Sequence, residues 1–170
     1  VSRCADEGRT VRVAGEGHSW TPVVETDDVV VSLEEMTGVV SHDPEERKAT
    51  IRGGTTLEET TLTLHERGLA FPNLGDVTMQ KVAGAIGTGT HGTGPEFENL
   101  SGSLVGGRLV TGTGEVREFD AESDPELRRR VLRSHQPASR RRGVRGDRRR
   151  RRGTGRRGRG RRGGAKRRRR

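Results

Sequence analysis

The sequence is short of several things, and each shortage closes a class of answers. It has one cysteine, Cys4, which excludes an internal disulfide and a multi-cysteine metal site. Cys4 reads as an ordinary thiol near a chain end, and no metal ligands are assigned. No apolar run approaches the roughly 18 residues of a membrane-spanning helix, so no membrane span is expected. No signal peptide is visible, and the default location is cytoplasmic. The chain starts at Val1 rather than Met, so its N-terminus is read as incomplete. Aromatic residues are missing from 128–170, where a base-stacking nucleic-acid site would need them.

Charge is abundant but divided. Residues 1–127 carry ten Lys and Arg against 23 Asp and Glu, a net of −13. Residues 128–170 carry 23 Lys and Arg against one acid, a net of +22. The overall +9 and the basic pI therefore describe the tail, not the body. An acidic body suits a halophilic cytoplasm, where high salt screens self-repulsion.

The body alternates short strands and helices. Val11–Ala14 and Val29–Leu33 read as strands, the first ended by a Gly15-Glu16-Gly17 turn. Gly38–Val40 and Ala49–Arg52 form a hairpin around a polar loop at 42–46. Thr56 and Glu59 make a capping box for a helix with Leu57, Thr61 and Leu64 on one face, and Gly68 stops it. A shorter helix is expected over Gln80–Ile86, starting near Thr78. Leu104–Thr111 and Val116–Phe119 suggest another hairpin, and Ser123 with Glu126 opens a last helix. The expected fold is α+β, a small βαβ-like part followed by a mixed part. From about Arg128 apolar residues almost vanish, and the Arg/Gly-rich segment is expected to be disordered.

Two glycine-rich segments carry the chemistry. Gly15-Glu16-Gly17 follows a strand, and its backbone N–H groups can form an anion-binding nest. It is not a complete nicotinamide fingerprint, because Trp20 stands where the third glycine would be. The second segment runs from 84 to 94, preceded by a helix N-terminus that offers further donors. With a body of net −13, a bound diphosphate would rely on such N–H groups, on the hydroxyls of Ser19, Thr88 and Thr90, and on Lys81. Tight turns without a ligand would explain both segments equally well.

Residues 11–20, Val-Arg-Val-Ala-Gly-Glu-Gly-His-Ser-Trp, resemble the first FAD motif of the vanillyl-alcohol-oxidase/p-cresol-methylhydroxylase (PCMH-type) family. Asn73-Leu74-Gly75-Asp76 and the run from Val82 to Gly94 resemble the second. Within that family the chain resembles aldonolactone oxidases of the gulonolactone and arabinonolactone types and alditol oxidases. The resemblance implies that Val13, Ala14, Gly15, Glu16, Gly17, His18 and Ser19 wrap an FAD diphosphate. Asp76, Lys81, Gly84, Ala85, Ile86, Gly87 and Thr88 would complete the cofactor contacts. His18 matches the histidine that bonds covalently to the flavin 8α carbon; without the resemblance it reads as a hydrogen-bonding turn histidine. His91 falls in the same motif, with packing in the turn as its plainer role. Gly75 leaves room for oxygen, which points to an oxidase rather than a dehydrogenase. The implied reaction oxidises a CH–OH group of a sugar lactone or polyol. In the family the substrate groups come mostly from a second domain, so this chain alone is expected to be inactive and no catalytic residue is assigned.

The resemblance stops near Arg128. Residues 1–127 are therefore read as an incomplete FAD-binding domain and 128–170 as out-of-frame translation of GC-rich DNA. The alternative is an Arg/Gly tail that binds nucleic acid nonspecifically through phosphates. Sequencing the gene tests the first idea, which fails if no flavin-oxidase sequence continues in another frame.

Overall fold

A computed structural model describes residues 1–133. The expectation of a disordered tail concerns residues that, beyond Arg133, lie outside the described ones.

Strand β1 (Val11–Ala14) pairs in parallel with β2 (Val29–Ser32), Val11 opposite Val29. The crossover between them, residues 15–28, contains no helix. That corrects the βαβ-like expectation: with Gly15, Gly17 and Pro22 in it, the connection lacks the apolar stripe a helix would bury. Strands β3 (Val39–Asp43) and β4 (Lys48–Ile51) form the expected antiparallel hairpin, with a bulge between Val39 and Ser41. Strands β5 (Gly107–Val110) and β6 (Val116–Phe119) form the last hairpin.

Helix α1 (Ser2–Asp6) was not foreseen; it buries Cys4. Helix α2 (Leu57–His65) starts as the sequence indicates, with Thr56 Oγ1 accepting from Glu59 N at 3.1 Å. Its inward face is Leu57, Thr60 and Leu64 rather than Leu57, Thr61 and Leu64. Thr60 can be buried because its hydroxyl donates to Thr56 O at 2.7 Å. Gly68 closes the turn after α2 at φ +71°, a left-handed conformation that glycine adopts without a Cβ penalty.

Helix α3 (Val82–Gly87) starts later than expected. Residues 78–81 are extended instead: Leu57 N donates to Gln80 O, Glu58 N to Thr78 O, and Thr56 bridges Lys81. Leu57, Val82, Ala85 and Leu100 form the core, with Ile51, Phe71, Leu74 and Ile86 packed against it. Leu100 belongs to a 3₁₀ turn (Leu100–Ser103) that Ser101 ties to Ile86 O at 2.7 Å.

Helix α4 (Pro125–Arg133) runs past Arg128, since arginine is a good helix former and needs no core to continue a started helix. Its cap is Asp124, which accepts from Leu127 N, with Pro125 in the first turn; Ser123 instead accepts from Asp120 N. The N–H groups of Ser123 and Glu122 donate to Asp120 and hold its carboxyl below the usual range.

Candidate cofactor site

The loop that leaves β1 turns at Gly17, φ +75°, and brings His18 and Ser19 to one wall of an open cavity of about 610 Å³. That volume lies in the range of small-molecule sites, about 300–1,000 Å³. Gly75, Asp76 and Gln80 also line it, as does the stretch from Thr88 to His91 that leaves α3. The fold thus gathers both glycine-rich segments around one space. Thr90 Oγ1 donates to Gln80 Oε1 at 3.2 Å, and Thr88 Oγ1 donates to Gly84 O at 2.9 Å.

The backbone donors are unevenly spent. Among the described residues, the N–H groups of Glu16, Gly17, His18 and Ser19 meet no protein acceptor. The second segment differs: Val82 N donates to Thr55 O, Ala83 N to Gly53 O, Thr88 N to Gly84 O and Thr90 N to Ala85 O. The start of α3 is therefore tied to the loop before α2, and the free donors belong to the first loop. A Cβ added to Gly15, Gly17, Gly84 or Gly87 would meet nothing within 4 Å, so these glycines border open space. An open cradle lined by unspent N–H groups suits an anionic diphosphate.

Of the residues singled out by sequence, His18, Ser19, Gly75, Asp76, Thr88, Thr90 and His91 line the cavity. Val13, Ala14, Gly15, Glu16, Gly17, Gly84 and Gly87 flank it along the chain. Ala85 is fully buried and Ile86 packs on the core, so their side chains hold the segment rather than face the space. Lys81 is 6% exposed, and its Nζ lies 3.3 Å from Glu16 Oε1. The cation expected to meet a diphosphate is thus already paired with a carboxylate from the other segment. Trp20, Thr21 and Val23 also line the cavity and were not anticipated. Trp20 is 93% exposed and sits at φ +54°, an uncommon conformation for a bulky residue. The missing third glycine was the one sequence signal that set its position apart. His91 Nδ1 lies 2.9 Å from Gly92 O.

Comparison with known proteins decides the family. A family model described as an FAD binding domain matches residues 1–120. The chain belongs to that family. Among curated proteins, the FAD domain is 39% identical over 131 residues to L-gulono-1,4-lactone dehydrogenase of Mycobacterium tuberculosis, covering 77% of this chain and 30% of that protein. It is 36% identical over 136 residues to D-arabinono-1,4-lactone oxidase of Eremothecium gossypii, covering 78% and 26%. It is 32% identical over 121 residues to L-gulonolactone oxidase of Bos taurus, covering 71% and 28%. The chain thus spans less than a third of the length of these relatives.

Among solved structures, 6-hydroxy-D-nicotine oxidase from Arthrobacter nicotinovorans superposes with a TM-score of 0.67 at 27% identity, covering 76% of this chain and 29% of that one. Alkyldihydroxyacetonephosphate synthase matches at 0.67 and 20% identity, covering 77% and 25%, a likeness of fold alone. The PCMH-type FAD domain read from the sequence is therefore present. Among the described residues, no helix is long and apolar enough to cross a membrane.

Proposed function

We propose that this domain is the flavin-holding part of an oxidoreductase that oxidises a CH–OH group of a sugar lactone or polyol. The observation that carries the reading is the cavity itself. His18 and Ser19, on a loop with four unspent N–H groups, share with Gly75, Asp76 and Thr88 the lining of a space of suitable volume. The flavin, when bound, supplies hydride acceptance, which protein side chains lack. The chain's own residues bind and orient it. The amides of Glu16 to Ser19 receive the diphosphate, and Ser19 and Thr88 add hydroxyls. Val13, Ala14 and Gly15 lead the chain into that loop, and Gly84 to Gly87 border the cradle from the other side.

His18 is the proposed point of covalent attachment. It is half-buried on the cavity wall, and a neutral imidazole nitrogen is nucleophilic near pH 7. Sugar lactones are supported as the substrate class by the names of the relatives. Those names divide between a dehydrogenase and oxidases, and oxygen is the acceptor proposed for this chain. A cytoplasmic location belongs to the same reading, and cell fractionation tests it.

The test is to supply FAD, denature the protein and look for yellow colour that stays with the polypeptide. Retained colour in the wild type and its loss in His18→Ala are expected. Failure of the wild type to take up any flavin would defeat the cofactor role. Uptake followed by full release on denaturation would defeat only the covalent link.

A further inference from the structure

Glu16 lies in the first glycine-rich segment and Lys81 just before α3 and the second, far apart in sequence, yet they form an ion pair at 3.3 Å. The Lys81 backbone is fixed from both sides. Gln80 O accepts from Leu57 N, Val82 N donates to Thr55 O, and Lys81 O accepts from Ala85 N. Its side chain is 7% exposed, whereas that of Glu16 is 38% exposed. The lysine is thus an anchored cation reaching from the core, and the glutamate rides on a loop. Among the described residues, this ion pair is the one polar bond that ties residues 16–19 to the rest of the protein. Glu16 would otherwise set a bare carboxylate beside the four N–H groups that suit an anion.

We propose that the Glu16–Lys81 pair is a positioning lock, which holds the Gly15–Ser19 loop in its anion-receiving form and cancels the Glu16 charge beside it. The proposal rests on the FAD reading of that loop. Neither side chain has to touch the cofactor. The lock orders the donors before a diphosphate arrives, which lowers the cost of binding it. It also removes a repulsion that would otherwise act on the diphosphate and not on an uncharged flavin.

The experiment uses the full chain and two readouts. The first needs no cofactor. The sequence has one tryptophan and no tyrosine, so fluorescence anisotropy reports Trp20, at the end of the same loop. Lys81→Met is expected to lower that anisotropy, and the exchanged pair Glu16→Lys with Lys81→Glu to recover it. The second readout is affinity for FAD and for riboflavin, which lacks the diphosphate. Lys81→Met is expected to weaken FAD about tenfold, or 1.4 kcal/mol, while riboflavin changes much less, and the exchanged pair recovers FAD binding. Should Lys81→Met fail to fold by circular dichroism, Glu16→Gln at the more exposed partner must lower the anisotropy instead. Unchanged anisotropy in a folded single variant, or no recovery in a folded exchanged pair, overturns the lock. Equal losses for FAD and riboflavin overturn its electrostatic half. If the wild type binds no flavin, the cofactor reading fails, and the anisotropy arm still decides the lock.

Discussion

Gly75 is hemmed in by the chain that closes the cavity. A Cβ at this position would lie 3.1 Å from Thr90 Cγ2 and 3.2 Å from His91 O. Gly75→Ala must therefore push back Thr90 and His91, which line the same cavity. Overpacking of this kind costs about 1–3 kcal/mol, readable as a lower melting temperature. If oxygen reaches the flavin past Gly75, the same variant reoxidises about tenfold more slowly in air, equivalent to 1.4 kcal/mol on the barrier. An artificial dye that accepts electrons at the exposed edge should be affected less, and equal slowing with both acceptors would count against the oxygen path. His18, Ser19, Asp76 and Thr88 were legible because they sit inside two long motifs that resemble those of the FAD-binding family. Thr21 and Val23 were not, since nothing in their local pattern distinguishes a cavity wall from a surface loop, and Trp20 was marked only by standing where a third glycine would be. The Glu16–Lys81 pair was invisible for a different reason: no spacing rule relates two residues that only tertiary folding brings together.

Elements with local signals were read well, and those set by tertiary contacts were not. Strands β1, β3, β4 and β6 and the cap of α2 follow from alternation, turn residues and a capping box. The start of α3 does not, because the carbonyls of Thr78 and Gln80 accept hydrogen bonds from the start of α2 and Lys81 bridges Thr56. That coupling makes the α2 cap matter beyond its own helix. Thr56 accepts from Glu59 N and also bridges Lys81, the anchor of the Glu16 pair. Thr56→Ala is expected to cost about 1 kcal/mol by loss of the cap, measured by denaturant unfolding. The backbone bridge to Lys81 needs no side chain, so the anisotropy of Trp20 should stay near the wild-type value. A fall as large as that of Lys81→Met would mean that the cap, not the ion pair, orders the loop.

At the scale of the molecule, charge is the property that composition describes best and that averaging hides. The described residues, 1–133, hold 14 Lys and Arg against 23 Asp and Glu, a net of −9. Most of the ion pairs that offset it are exposed, such as Arg108–Glu118 and Arg129–Glu126, and pairs of that kind contribute about 0–1 kcal/mol each. Salt weakens those pairs, but it also screens the repulsion among unpaired carboxylates, and the excess of acid makes the second effect the larger. The screening length falls from about 10 Å at 0.1 M to about 3 Å at 1 M, so the long-range repulsion is removed first. A chain ending at Arg133 should therefore melt higher in molar potassium chloride than in dilute buffer, by roughly 4 °C for each 1 kcal/mol of repulsion relieved. An uncharged osmolyte that stabilises by exclusion serves as the control. The buried Lys81 and its partner are screened much less, so anisotropy of Trp20 should hold steady over the same range. A melting temperature that falls with salt would show that the surface pairs outweigh the net charge, and would remove the argument for a salt-adapted body.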